Sequence, residues 1–398
     1  MSSAPKTPHE SPSVKSEDPP TSPNIPYDAI VLVSFGGPEG PDDVMPFLEN
    51  VLRGRNVPRE RMLEVSEHYH AFGGVSPINE QCRALLAAMR ADFADHGLDL
   101  PVYWGNRNWH PMLADTVAEM KADGIQHALA FVTASTGSYS SCRQYREDIE
   151  KARAAVGPDA PVIDKLRLFY NHPDFVEANA RGLAEAIEKV PEAGRKDLRI
   201  AFTAHSIPVS MSESCDYQKQ LRELSGLVAR RNGYDDAHWD LVFQSRSGPP
   251  QIPWLAPDIC DHLRELKTHG TSDVVVMPIG FVSDHMEVLY DLDHEAADTC
   301  AEIGIRMIRA RTVGTDAGFV GMIRKLIMER IEGQPPETIG DLPAAPDFCR
   351  PGCCPAPQRP SGRPGGRPEG GSGGRPGAPP ESGAPSGRPR SSDAASSS

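Results

Sequence analysis

The 398-residue chain contains no run of about 18 apolar residues, so no segment reads as a membrane span. Its start lacks an apolar stretch of roughly 7–15 residues behind a basic head, so a secretory signal is not expected. Basic residues are in deficit, 41 Lys and Arg against 55 Asp and Glu, for a formal net charge of −14. Six arginines stand against three acids from Pro355 onward, which leaves about −17 on the remainder. Nucleic acid is therefore not an expected partner of the folded part. Neither G-x-G-x-x-G nor a phosphate-binding G-x-x-x-x-G-K-[ST] loop is present, which speaks against a nucleotide-binding protein. Cys82, Cys142, Cys215, Cys260 and Cys300 are scattered, as in a reduced, cytoplasmic protein, whereas Cys349, Cys353 and Cys354 are bunched.

What is present divides the chain. Residues 1–26 are rich in Pro, Ser and charge and read as a disordered leader. Residues 355–398, nearly all Gly, Pro, Ser, Ala and Arg, cannot bury enough apolar surface to order themselves and read as a disordered tail. Between them, short β-rich runs alternate with amphipathic stretches. Expected strands are Ala29–Phe35, Val102–Asn106, Ala128–Ala134, Arg199–Ala204, Leu241–Gln244, Val274–Ile279 and Arg306–Ala310. Expected helices include Asn79–Asp95, Asp174–Lys189, Asp216–Arg231 and Ala317–Ile331. The pattern predicts an α/β fold with two doubly wound domains, 27–164 and 165–333, a cleft between them, and an extension over 334–354. Ligands of such folds bind beyond the carboxyl ends of the strands.

The residues there carry the chemistry. The first strand runs into Ser34-Phe35-Gly36-Gly37-Pro38, a turn that needs small residues. The third runs into a hydroxyl-rich loop, 133–145, which contains Tyr139, Cys142 and Tyr145 and reads equally as a helix cap or a ligand wall. The fourth ends at His205, followed by Ser206 and Pro208; a lone histidine is usually structural, but this position favours function. After the sixth strand, Glu287, Asp291 and Glu295 recur at i, i+4 and i+8, which on a continuous helix forms one row of carboxylates. An exposed acidic face is the bland reading, and hard oxygen ligands for a divalent cation the sharper one. One histidine and one carboxylate at a cleft suit proton removal coupled to cation delivery.

The chain from about Tyr27 to Glu332 resembles the ferrochelatases. The resemblance is carried by Val33-Ser34-Phe35-Gly36-Gly37-Pro38, Gly73-Gly74-Val75-Ser76-Pro77, Phe202-Thr203-Ala204-His205-Ser206-Ile207-Pro208, Phe243-Gln244-Ser245-Arg246-Ser247-Gly248 with Pro253-Trp254-Leu255, and Gly280-Phe281-Val282-Ser283-Asp284-His285-Met286-Glu287-Val288-Leu289-Tyr290-Asp291. It implies two Rossmann-like domains around a porphyrin cleft and a lyase that inserts ferrous iron into a porphyrin in haem biosynthesis. It implies that His205 takes the pyrrole protons and meets iron, that Glu287 is its acidic partner, and that Asp291 and Glu295 form a cation path. It implies porphyrin contacts at Tyr69, Ser76 and Tyr145; Arg53 lies by the same cleft and could pair with a propionate. Some bacterial relatives have Tyr where Phe35 stands; Phe35 has no oxygen for iron and is left with ring packing.

The segment Glu39-Gly40-Pro41-Asp42-Asp43-Val44-Met45 is polar where membrane-associated relatives carry an apolar lip. Coproporphyrin III is thus the preferred substrate and coproheme the product, with protoporphyrin IX as the alternative. Some ferrochelatases also hold a [2Fe–2S] cluster, and the resemblance offers Cys142, Cys349, Cys353 and Cys354 as its ligands, although the adjacent pair departs from known spacings; loose thiols or adventitious zinc are the plainer reading. Rival functions are a cobalt or sirohydrochlorin chelatase, disfavoured because those place a second His where Glu287 stands, and a non-catalytic haem or iron carrier, which would not need His205. The sequence leaves the oligomeric state open, with a monomer slightly favoured.

Overall fold

A computed structural model describes residues 27–54 and 57–356. The expected leader over 1–26 and all but the first two residues of the expected tail lie outside the described residues. Eight strands form two parallel sheets. The first holds β1 (Ala29–Ser34), β2 (Val102–Asn106), β3 (His127–Val132) and β4 (Val162–Lys165) in the order β2-β1-β3-β4. The second holds β5 (Arg199–His205), β6 (Trp239–Gln244), β7 (Asp273–Met277) and β8 (Arg306–Arg309) in the order β6-β5-β7-β8. The second sheet repeats the connectivity of the first, so each has one switch point, between β1 and β3 and between β5 and β7, where the chain leaves in opposite directions and a crevice opens.

The strands read as continuous apolar runs because both faces are covered. In β1, Ala29, Val31 and Val33 face the helices Leu113–Ala122 and Gln144–Val156. Ile30 and Leu32 point the other way, into a core they share with Phe202, Phe243 and Met277 of the second sheet. The helices Ile78–Asp95, Pro173–Glu188, Tyr217–Arg231 and Ala317–Glu332 fill that shared core. Ion pairs join distant segments across it: a largely buried one in which Arg167 grips Glu329 at 2.7 Å, and a half-buried one in which Arg324 reaches Asp92 at 2.8 Å.

Two local features depart from the pattern reading. Strand β4 was not expected: Val-Ile-Asp-Lys is short and half charged, and as an edge strand its Val162 is 40 % exposed. The helix expected to carry the acidic row is not a continuous α-helix. A single α-turn, Met286–Val288, opens into a π-helix over Leu289–Ala296, whose wider i→i+5 turn changes which way each side chain points.

Candidate active site

His205 is the last residue of β5 and Glu287 lies ten residues beyond the end of β7, so both stand at the second sheet's switch point. The loop between β7 and Glu287 approaches β5 closely because of Gly280; a Cβ there would lie 2.7 Å from that of Ala204. His205 Nε2 faces Glu287 Oε2 at 3.5 Å, with the side chains 33 % and 49 % exposed. His205 Nδ1 lies 2.5 Å from the Ser206 carbonyl, which can only accept, so Nδ1 carries the hydrogen of the neutral ring. The Nε2 lone pair is left facing the cleft beside Glu287, which is what a proton acceptor requires. The Tyr217 hydroxyl donates to the His205 carbonyl at 2.9 Å and ties the strand end to the helix below.

The acidic row is rearranged by the π-turn. Glu287 and Glu295 are exposed, but Asp291 turns inward to the end of β6. Its Oδ2 accepts from Ser245 Oγ and from Gln244 Nε2 at 3.2 Å. Burial pushes its carboxyl up to about 7, aided by the charges of Glu287 and Glu295 and opposed by the two hydrogen bonds. The row expected on one helix face is therefore replaced by two exposed acids flanking one half-buried acid whose carboxyl is raised to about 7. His285, beside Glu287, has its imidazole held below the usual range by burial.

The first sheet supplies the opposite wall. Phe35, just past β1, is 36 % exposed and stands edge-on to Phe47 at 6.3 Å. Behind it the Arg107 guanidinium lies 5.7 Å from the Phe35 ring and 4.3 Å from the Tyr145 ring, held by Asp148 at 2.6 Å. Ser76 packs into the turn at Gly37, where a Cβ would meet Ser76 Oγ at 2.8 Å. Tyr69 lies between Phe47 and Met286, and burial and the Glu287 charge push its hydroxyl far up. Tyr69, Ser76 and Tyr145, porphyrin contacts by the resemblance, are buried, at 8 %, 4 % and 5 % exposure, while Phe35 is the exposed ring of this wall. Arg53 is exposed in the turn after the helix Val44–Val51.

The C-terminal extension returns to the first sheet. The Ile339 N–H bonds to the Asn171 carbonyl at 2.9 Å, Tyr170 donates to the Pro343 carbonyl at 3.0 Å, and Arg143 donates to that of Cys353 at 3.1 Å. This path brings the bunched cysteines onto Cys142. Cys142 hydrogen-bonds Cys349, which also contacts Cys353, and Cys353 Sγ lies 3.6 Å from Cys354 Sγ. The Cys142 hydrogen bond, with Lys165 and Arg146 nearby, brings the Cys349 thiol down to about 5, while burial takes Cys354 up to about 12. The four thiols form a chain of contacts. Among the described residues no three His, Cys, Asp or Glu side chains gather as a single-metal site.

Arg107 and Tyr217 were not singled out from the sequence, and Gln244 and Ser245 entered it only within the motif 243–248 and, for Gln244, as a strand end, with no role of their own. Arg107, Gln244 and Ser245 lie at the ends of β2 and β6, the strands beside each switch-point strand, and the same carboxyl-end rule applied to them would have found them.

The arrangement is an α/β fold with a histidine and a carboxylate facing each other at 3.5 Å at the second sheet's switch point. Comparison with known proteins makes it particular. The ferrochelatase family model matches residues 27–331. A ferrochelatase of Rhodopirellula baltica is 55 % identical over 339 residues, covering 84 % of this chain and 95 % of that protein. Coproporphyrin III ferrochelatases of Streptomyces coelicolor and Nocardia farcinica are 52 % and 51 % identical, each covering 83 % of this chain and 94 % and 97 % of their own lengths. The chain belongs to the ferrochelatase family, the lyases that insert iron into a porphyrin in haem biosynthesis.

Proposed function

We propose that this enzyme inserts ferrous iron into coproporphyrin III to give coproheme, with His205 and Glu287 removing the pyrrole protons. The observation that carries the mechanism is the facing of His205 Nε2 and Glu287 Oε2 at 3.5 Å, with Nδ1 committed to the Ser206 carbonyl. Two pyrrole N–H protons leave as iron enters. The unprotonated Nε2 takes one and the Glu287 carboxylate takes the other. Asp291, holding or releasing a proton near neutral pH, is placed to pass protons outward along Glu287, Asp291 and Glu295, the same path along which a cation would arrive. Phe35 offers a flat face to the macrocycle and Arg53 a cation to a propionate.

Coproporphyrin III is favoured over protoporphyrin IX by the polar lip over 39–45 and by the actinobacterial relatives that bear its name. No helix among the described residues is long and apolar enough to cross a membrane, which fits a cytoplasmic enzyme, and a monomer is the simplest assembly. The test is anaerobic incubation with ferrous iron and either porphyrin, following loss of porphyrin fluorescence. Turnover with coproporphyrin III and little with protoporphyrin IX supports the reading; the reverse overturns the substrate and keeps the reaction.

Cys142, Cys349, Cys353 and Cys354 fit a [2Fe–2S] cluster. Such a cluster takes two thiolates on each iron, so it does not need three ligands around one ion. Bound there, it would cross-link the extension to the loop after β3 and would be structural or redox-sensing. Cys142→Ser should remove the protein's iron and acid-labile sulfide; unchanged iron and sulfide would exclude Cys142 as a ligand.

A further inference from the structure

Ser245 stands one residue past the end of β6 with φ +61°, in the left-handed region that favours glycine. Apart from it, only Cys354 among the described non-glycine residues has a positive φ. Such conformations persist where the surroundings hold them, and they concentrate at functional sites. Here the turn directs Ser245 Oγ onto Asp291 Oδ2. The neighbouring Gln244 Nε2 donates to the same oxygen at 3.2 Å and reaches the Glu287 carbonyl at 3.5 Å. On its other side Gln244 is the register partner of His205, and its carbonyl accepts the Ser206 N–H at 2.8 Å. The end of β6 therefore touches the backbone that carries His205 and the segment that carries Glu287.

We propose that Ser245 is a positioning residue for iron insertion: its hydroxyl, aimed by a left-handed backbone, pins Asp291 and thereby holds Glu287 in place opposite His205. The inference rests on the His205–Glu287 reading above. It explains why serine occupies a position where glycine would be easier. A turn alone needs the backbone angle and no hydroxyl, whereas the clamp needs both. The clamp matters because the α-turn that carries Glu287 is only three residues long before the π-helix of Asp291 opens, so its own helix gives it little support.

The test compares Ser245→Gly, Ser245→Ala and Ser245→Asn in the full-length protein, with Glu287→Gln in the same assay. Thermal melting, porphyrin affinity by fluorescence quenching and the rate of iron insertion are measured for each. Glycine relieves the backbone, so S245G should melt no lower than wild type, yet its kcat should fall about tenfold with porphyrin affinity within about twofold. S245A should lose the same rate and also melt lower than S245G. Asparagine tolerates the left-handed backbone and carries a side-chain donor, so S245N should recover more rate than glycine does. A fall in rate without a fall in stability is not what a merely structural turn residue produces. Wild-type kcat in S245G beside an inactive E287Q overturns this inference alone. Wild-type kcat in E287Q overturns the reading on which it rests.

Discussion

The two sheets share one strand order, yet their switch points carry different chemistry. Past β1 the first sheet places Phe35, and past β2 Arg107, so its wall is aromatic and braced from behind. Past β5 the second sheet places His205, past β6 Gln244 and Ser245, and past the β7 loop Glu287, so its wall is polar and carries an imidazole beside a carboxylate. On the function proposed above, a repeated scaffold is divided between gripping a flat ring and removing protons from it. The fold supplies positions, and the residues grafted at the strand ends decide what each position does.

Variants that separate the two walls should break the comparison most visibly. His205→Ala removes the proton acceptor and should lower iron insertion by about a hundredfold or more, with porphyrin affinity nearly unchanged. Glu287→Gln keeps size but not charge and should cost somewhat less, about tenfold to a hundredfold in kcat, because His205 still accepts. Phe35→Ala should act in the opposite sense, raising the porphyrin KM by about tenfold with a smaller change in kcat. Steady-state kinetics on the three variants read these splits directly.

The smallest expected effects are on stability and sharpen the account of the second wall. The Asp291 carboxyl is raised from its ordinary 3.8 to about 7 in the folded protein, so burying its charge costs nothing below pH 3.8 and the full penalty above about 7. Asp291→Asn should therefore raise the melting temperature at pH 8 and leave it unchanged near pH 4. The shared core offers a contrasting case. Burial lowers His172 from 6.5 to about 4, so the stability gained by keeping it neutral is present above pH 6.5 and lost as the pH falls toward 4. Melting curves at pH 7 and 4.5 should show that loss in wild type and less of it in His172→Gln.

Much of this was legible in the sequence, and the gaps have physical causes. Strands such as β1 and β7 announce themselves because both faces are covered and all but one residue of each is apolar. β4 does not, because an edge strand is short and half solvated. The positions of His205 and Glu287 followed from the rule about strand ends. The inward turn of Asp291 did not, because periodicity assumes an α-helix and a π-turn leaves no compositional mark. Tyr69 and Tyr145 were offered as porphyrin contacts by the family resemblance, and their depth of burial is not visible in the sequence, because an aromatic side chain on a helix looks the same whether it is exposed or packed. That Cys142 lies far from Cys349 in sequence and against it in space came from the family resemblance; the hydrogen bonds of Tyr170, Asn171 and Arg143 that bring the extension back are not visible in spacing.

The division of labour is tested most directly by measuring porphyrin binding and iron insertion together in His205→Ala and Phe35→Ala, prepared and assayed side by side. The account predicts a crossed result: His205→Ala binds porphyrin as wild type does and inserts almost no iron, while Phe35→Ala binds weakly and still inserts iron once saturated. If both variants lose binding and turnover in the same proportion, the two walls do not have separate tasks and the account fails.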